Sequence, residues 1–326
     1  MSQVERGVPR GLVIVTGADG FVGTALCAHL RGQGHPRIGA VRSMRRNLPG
    51  DLQPVGDLAL ADEARLDDLV GGADAVVHLA GRAHRMKAKI GDSRLHQVAN
   101  AELTARVARA ALRGGVKRFV LASTIKVNGE FSVHAFRPED IPHPEDAYAR
   151  SKLAAERELL DLCSSGSMTP MILRLPLIYG RGARGNFPKL VEAVRARRRL
   201  PLAWVQNRRS LLYLGNLVEA IEATLVCPVA PAGVHFVTDS EAVSTPDLIR
   251  AIAAAWKVKP RLYGVPVPIL RMAAGLVGKG AVIARLVDSL EGDSASFRAA
   301  TGWSPRWPLD AALLRTASVH RSAPLF

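Results

Sequence analysis

The sequence predicts an α/β chain: a doubly wound parallel sheet with a smaller C-terminal α/β lobe. Three observations carry this reading. The apolar run Leu12-Val13-Ile14-Val15-Thr16 leads straight into a glycine turn, Gly17-Ala18-Asp19-Gly20-Phe21-Val22-Gly23, and then into a helical stretch. Strand-like and helical stretches go on alternating to about residue 180, the mark of parallel strands joined by crossover helices. Finally, 326 residues with 48% hydrophobic content can bury one large core and a smaller appended one.

The first strand is a short β-rich run of the kind buried on both faces of a parallel sheet. The glycines behind it permit a tight turn and close approach of backbone to a pyrophosphate. That group would sit at the positive end of the helix running from Thr24 to Arg31. Gly17, Gly20, Phe21, Val22 and Gly23 are therefore dinucleotide-binding candidates in a Rossmann-type domain. The second strand is Arg37 to Val41. Beyond it, where an NAD-binding chain usually places Asp or Glu for the ribose hydroxyls, stands Arg42, followed by Ser43, Arg45 and Arg46. A carboxylate repels a 2′-phosphate and a guanidinium binds it bidentately, so Arg42 favours NADP over NAD. The alternative is an ordinary surface arginine in an arginine-rich chain.

Val55-Gly56-Asp57-Leu58 and an acidic helix come next. The buried strand Asp74 to Gly81 then ends in small residues, which let a flat cofactor approach the backbone. Asn100 to Leu112 reads as a helix, Phe119 to Thr124 as a strand, and Met171 to Ile178 as another strand ending at Tyr179-Gly180. From Arg181 the pattern loosens. Gly182, Gly185 and Pro188 mark a loop, and Phe187 to Arg199 reads as a basic helix. Val234 to Thr238 reads as a strand returning to the sheet. Thr245 to Trp256 is a helix capped by Ser244 or Thr245, with Pro246 in its first turn. The expected division is a cofactor domain over 1–180, completed by the strand near 234–238, and a discontinuous, mainly substrate-binding lobe over 181–326.

The chemistry centres on Tyr148-Ala149-Arg150-Ser151-Lys152. Tyr and Lys four positions apart project from one helix face. Helix-favouring residues follow from Leu153 to Cys163, Pro142 and Pro144 hold off an earlier start, and Asp146 is placed to cap. An ammonium beside a phenol favours the phenolate, so the expectation is a Tyr148 pKa drawn down towards neutrality. The competing reading is a Tyr–Lys pair on a solvated helix face, and the rest of the chain has to decide between them.

Composition narrows the function class. The net charge, 44 − 29 = +15, is large and mostly arginine. Nucleic acid, anionic lipid and phosphorylated ligands are the candidate partners. Aromatics are sparse and the arginines scattered except at Arg195-Ala196-Arg197-Arg198-Arg199. The charge therefore reads mainly as a solvated surface with an anion-friendly cleft, with no nucleic-acid partner expected. Cys27, Cys163 and Cys227 lack any C-x-x-C spacing, which suggests neither disulfides nor zinc and fits a cytoplasmic setting. The first apolar run stops at Val15, too short for a signal peptide. Val265 to Leu290 is the most hydrophobic later region, but Pro266, Pro268, Arg271, Lys279 and Arg285 break it, so no transmembrane segment is expected. Core packing is its first reading and an amphipathic segment on a membrane surface its second.

Taken in order, Thr16-Gly17-x-x-Gly20-Phe21-Val22-Gly23, Asp57-Leu58, His78-Leu79-Ala80-Gly81, Ser123-Thr124, Tyr148-x-x-x-Lys152 and Arg174-x-Pro176-x-x-Tyr179-Gly180 resemble an extended short-chain dehydrogenase/reductase of the nucleotide-sugar epimerase/dehydratase group. The resemblance runs from about residue 11 to the C-terminus and is strongest before residue 181. It implies Tyr148 as acid/base at a sugar oxygen, Lys152 on the nicotinamide ribose, and Thr124 hydrogen-bonded to the same sugar oxygen. It implies the glycine turn at the pyrophosphate, Asp57 and Leu58 at adenine, and Leu79, Ala80, Gly81, Ser123 and Pro176 along the cofactor cleft. Asn100 would support the site, or simply cap a helix. Lys126, Asn186, Phe187, Arg209 and Tyr213 fall in segments implied to hold a UDP-sugar. A homodimer through paired helices, one of them bearing Tyr148, is a further implication.

Relatives that dehydrate or decarboxylate the sugar carry a carboxylate just after the Ser/Thr, because removing a proton from carbon needs another base. Here Thr124-Ile125-Lys126-Val127-Asn128-Gly129 has none. Two reactions survive, reduction of a UDP-4-keto-6-deoxy-N-acetylhexosamine and 4-epimerisation of a UDP-hexose. Arg42 and the resemblance of the Thr124-to-Glu130 run to that of such reductases place the reductase first. A non-catalytic cofactor-binding protein of the same fold is the third reading.

Overall fold

The computed structural model describes residues 11–43, 51–82 and 92–322, so Arg45 and Arg46 lie outside the described residues. In chain order the strands are β1 (Val13–Thr16), β2 (Arg37–Val41), β3 (Leu52–Pro54), β4 (Ala75–His78), β5 (Arg118–Thr124), β6 (Thr169–Leu175), β7 (Leu177–Tyr179), β8 (Arg199–Leu200), β9 (Leu211–Tyr213), β10 (Gly233–Phe236) and β11 (Arg261–Leu262). Seven of them form one sheet in the spatial order β10-β6-β5-β4-β1-β2-β3, and every pairing in it is parallel. The order reverses between β1 and β4, and a doubly wound sheet opens a crevice at such a switch point, beyond the carboxyl ends of its strands.

The helices are α1 (Phe21–Gly32), α2 (Glu63–Val70), α3 (Asp92–His96), α4 (Leu103–Arg113), α5 (Ala147–Leu162), α6 (Asn186–Arg195), α7 (Leu214–Val226), α8 (Thr245–Ala255), α9 (Val267–Leu276), α10 (Gly280–Val287), α11 (Ala295–Thr301) and α12 (Leu309–Ser322). Strand residues alternate between two cores, which is why the strands read as unbroken apolar runs. Ile14, Val76, Phe119, Leu121 and Ile172 pack against Leu66 of α2, Val107 of α4 and Leu159 of α5. Val15, Val77, Val120, Met171 and Leu173 pack against Leu26 and Leu30 of α1 and Leu217 and Ile221 of α7. Glu222 ties α7 to α1's end of the sheet, meeting His29 at 2.7 Å and His35 at 2.8 Å. A third core joins Val191 of α6, Ile249 of α8, Leu270 of α9 and Leu313 of α12.

Three details differ from the sequence-based expectation. The run from Met171 to Ile178 divides at Pro176 into β6 and β7, and β7 leaves the main sheet to pair with β9. The basic helix stops at Arg195 instead of Arg199, because Arg197 turns at φ 51° and Arg199-Leu200 pairs with Arg261-Leu262. The hydrophobic region 265–290 packs only partly: Leu270, Ala274 and Val287 are buried, whereas Ile269, Met272, Leu276, Val277 and Val282 face out. Its prolines and glycines divide it into two short helices, each burying one side. Among the described residues, no helix is long and apolar enough to cross a membrane.

Asp239 holds the third core to the sheet. Its carboxylate accepts from the Tyr213 backbone N–H at 3.0 Å and from Asn216 Nδ2 at 2.7 Å, and Asn216 also donates to the Trp307 carbonyl at 2.9 Å. Burial pushes the Asp239 carboxyl up to about 6, against the pull of these donors. Asp239→Ala leaves two buried donors unmet, so we expect a loss of about 2–4 kcal/mol of stability by denaturant titration.

Candidate active site

The carboxyl ends of four strands converge on one cleft of about 480 Å³. β1 delivers the glycine turn, β4 delivers Leu79-Ala80-Gly81, β5 ends in Ser123-Thr124, and β6 runs into Pro176. Gly17 sits at φ +67°, and a Cβ there would lie 2.8 Å from the Ala80 nitrogen; one on Gly23 would lie 2.2 Å from the Gly17 carbonyl oxygen. Only glycine lets the turn come this close to Leu79-Ala80 and α1 come this close to the turn. Gly20 is the N-cap of α1 and offers no side chain to its first turn, so the first-turn N–H groups and the helix dipole remain for an anion. This cradle fits a dinucleotide pyrophosphate.

Asn100 fixes the next wall. It lies 1% exposed in a π-helical segment, Gln97–Glu102, that widens the helix before α4. Its Oδ1 accepts from the Arg82 N–H at 2.8 Å and its Nδ2 donates to Ser151 Oγ at 2.8 Å, so it clamps the turn after β4 to α5. It is a bracket inside the helix, not a cap. Such a bulge re-aims one side chain without ending the helix.

Thr124 ends β5, and Tyr148 and Lys152 lie on the first two turns of α5, which begins where Asp146 caps the Ala149 N–H at 2.7 Å. The Thr124 and Tyr148 side chains share a hydrogen bond, and all three residues line the cleft. The phenol departs from expectation. Burial pushes Tyr148 up to about 12, the Asp146 carboxylate adds to this, and only the Thr124 bond opposes it. Desolvation of the phenolate dominates. Burial also pulls Lys152 down to about 8, with the Glu156 carboxylate opposing.

That lowered pKa sets a pH dependence. Lys152 is below its unfolded value, so between about pH 8 and 10.5 the unfolded chain holds more protons, and ionisation of this lysine makes stability rise with pH across that window. Its ammonium, conversely, is lost from the cleft as pH rises through about 8. The affinity for NAD(H) is therefore expected to fall through the same range, and Lys152→Met to flatten the profile, both read by calorimetric titration.

Behind the cleft lies a buried ion pair. Arg174 and Glu156 meet at 2.7 Å, Arg174 Nη1 also donates to Asn128 Oδ1 at 2.9 Å, and Ser123 Oγ donates to Glu156. The Ser123 side chain is thus committed to this network while the residue itself borders the cleft. His96 packs edge-on against Tyr148 with ring centroids 5.8 Å apart, and burial lowers its pKa.

The remaining predicted residues fall into two groups. Arg42 lies beyond β2, 73% exposed and 3.6 Å from Asp57, and the Leu58 side chain is in the core; none of the three borders the cleft. The substrate-binding candidates do not line it either. Lys126 Nζ is held by Glu130 and by Asp146 at 3.0 Å. Phe187 is buried against Tyr179, Tyr213 packs on Tyr179 from the other side, and Asn186 is exposed at the start of α6. Arg209 donates to the Asp288 carbonyl at 2.9 Å. Conversely, Arg82, Arg184 and His96 adjoin the site without having been singled out. Arg82 directly follows His78-Leu79-Ala80-Gly81, which was a usable signal; Arg184 is one arginine among many.

A dinucleotide cradle beside a Tyr–Lys–Thr cluster defines an NAD(P)-dependent oxidoreductase of the extended short-chain type. The chain belongs to the NAD dependent epimerase/dehydratase family, whose model matches residues 13–237. It is 34% identical over 326 residues to a UDP-glucose 4-epimerase of Vibrio cholerae, covering 98% of each chain. It is 27% identical to the N-acetyl-alpha-D-glucosaminyl-diphospho-ditrans,octacis-undecaprenol 4-epimerase of Escherichia coli O157:H7, over 79% of this chain and 76% of that one. Among solved structures, MoeE5 in complex with UDP-glucuronic acid and NAD superposes with a TM-score of 0.76 at 25% identity, over 96% of this chain and 100% of that one.

Proposed function

We propose that this chain interconverts the carbon-4 epimers of a UDP-hexose. The observation that carries the reading is the cleft itself: Thr124, Tyr148 and Lys152 border it, and none of the described residues lining it is Asp or Glu. The nearby carboxylates are committed, Glu130 and Asp146 to Lys126 and Glu156 to Arg174. A site without a second base suits redox chemistry at a carbinol carbon, not elimination from the neighbouring carbon. The full-length likeness to an epimerase supports 4-epimerisation over net reduction.

A bound nicotinamide would supply the reversible oxidant at carbon 4, held by the glycine turn and Lys152. Tyr148 Oη takes the proton of the carbon-4 hydroxyl and returns it to the same oxygen after the keto sugar has turned its other face to the hydride donor, which is what inverts carbon 4. Thr124 keeps that oxygen within reach of the phenol, and the Lys152 ammonium stabilises negative charge as it develops. With Tyr148 pushed up to about 12, the resting group is a neutral phenol; charge on the occupied site has to lower it before it serves as base.

A second reading, NADPH-dependent reduction of a UDP-4-keto-6-deoxy-N-acetylhexosamine, draws on Arg42, whose exposed guanidinium directly follows β2 and suits a 2′-phosphate chemically. One experiment separates the two. Interconversion of UDP-glucose and UDP-galactose, or of their N-acetyl forms, without added reductant supports the epimerase. Stoichiometric NADPH oxidation on the keto sugar, with no epimerisation, supports the reductase. Neither reaction would leave a cofactor-binding protein.

A further inference from the structure

The α9–α10 hairpin is the surface that the proposed reaction leaves unexplained. Its apolar residues were expected in the core, yet Leu276 is 84% exposed, Val277 65% and Met272 64%. Leu276 and Val277 sit at the tip, where α9 gives way to α10, and Gly278 with φ +67° turns the chain between them. Ile269 and Val282 extend the apolar surface down the two helices.

The charge around this tip has one sign. From Lys257 to Val287 the chain carries Lys257, Lys259, Arg261, Arg271, Lys279 and Arg285 and not one Asp or Glu, although it has 29 acidic residues in all. The next acid, Asp288, pairs with Arg271. The fold adds to this. The parallel pairing of Arg199-Leu200 with Arg261-Leu262 brings the basic run of Arg195 to Arg199 to the base of the hairpin. Arg199 stacks over the exposed ring of Tyr263, 5.3 Å from its centroid, and Trp204, 62% exposed, lies against Gly264. Exposed aliphatic residues at a short tip, aromatics at its base and cations in excess of acids match a membrane interface. There, apolar groups enter the acyl boundary, Trp and Tyr sit at headgroup level, and Lys and Arg meet anionic headgroups. A nucleic-acid surface would not need the aliphatic tip, and a second copy of this chain would bring like charge against like.

We propose that the α9–α10 hairpin docks the enzyme peripherally on an anionic lipid surface. Whole protein is mixed with vesicles of phosphatidylcholine alone, or of phosphatidylcholine with an equal part of phosphatidylglycerol, and sedimented at low and high salt. Binding is expected to the anionic vesicles only, and to weaken as salt rises. Leu276→Glu with Val277→Glu should lower it at least about tenfold by removing the inserted groups. Lys279→Glu, a change of two charges, should lower it by roughly thirtyfold. Met272→Ser, one turn before the tip, gives a third and milder variant. All these positions are exposed, so unchanged melting curves check that the variants fold. No partition onto anionic vesicles, equal partition onto neutral ones, or binding that survives all three variants would overturn the proposal. So would an oligomer that Leu276→Glu with Val277→Glu dissociates, since a second copy would then cover the tip.

Discussion

Tyr148→Phe is expected to lower kcat by roughly 10²–10⁴-fold while the melting temperature and the cofactor affinity stay near those of the parent. The substitution deletes one oxygen and keeps the ring that packs against His96. What disappears is the hydrogen bond to Thr124 and the only phenol that borders the cleft among the described residues. Because the sugar oxygen must lose and regain a proton there, the loss should fall on kcat and kcat/KM together, with little change in KM. Thr124→Ala should lower kcat less, because it orients the oxygen and carries no proton of its own in the reaction. A Tyr148→Phe enzyme that turns over at the parental rate would remove the residue from the chemistry.

The largest stability effect is expected at the Glu156–Arg174 pair. Both side chains are nearly inaccessible, at 2% and 4% exposure, and they meet at 2.7 Å. Removing either one strands a buried charge, and Arg174→Ala also strips a donor from Asn128 while Glu156→Ala strips an acceptor from Ser123. Each single replacement should cost about 3–5 kcal/mol in denaturant titrations. The double replacement Glu156→Leu with Arg174→Met should cost clearly less than the two singles added, because no charge is then left unpaired. Glu156 also sits one turn after Lys152 on α5. Glu156→Leu alone should therefore lower the lysine's pKa further, since Glu156 is the group holding it up. The decline of NAD(H) affinity should then move to lower pH.

What could be read from the sequence follows from the range of the forces involved. The strand runs were legible because a parallel sheet covered on both faces demands apolar residues at every position, and the glycine turn because close approach to Ala80 excludes any Cβ. Asp146 as a cap and Ser244 as the cap of α8 were legible for the same local reason. The failures are residues whose partners come from elsewhere. Lys126 stood near Thr124 and looked free for substrate, yet Asp146, distant in sequence, claims it. Phe187 and Tyr213 occupy segments suited to substrate, but a third core forms around Tyr179 and takes both rings. The Tyr148 pKa went the wrong way because helical spacing shows a cation one turn off and cannot show how thoroughly the phenol is dried. The region 265–290 was read as core from composition, whereas its prolines and glycines limit it to two short helices that bury one side each.

The proposed function rests on one claim, that Tyr148, Thr124 and Lys152 serve a reversible oxidation confined to carbon 4 of a nucleotide sugar. The most direct test uses UDP-glucose labelled with deuterium at carbon 4, incubated with the purified protein without added reductant and followed by NMR. The account predicts UDP-galactose that keeps its deuterium at carbon 4, and no product from Tyr148→Phe on the same timescale. Loss of the label to solvent, or label retained only in unchanged UDP-glucose and in UDP-galactose formed equally well by Tyr148→Phe, would contradict it.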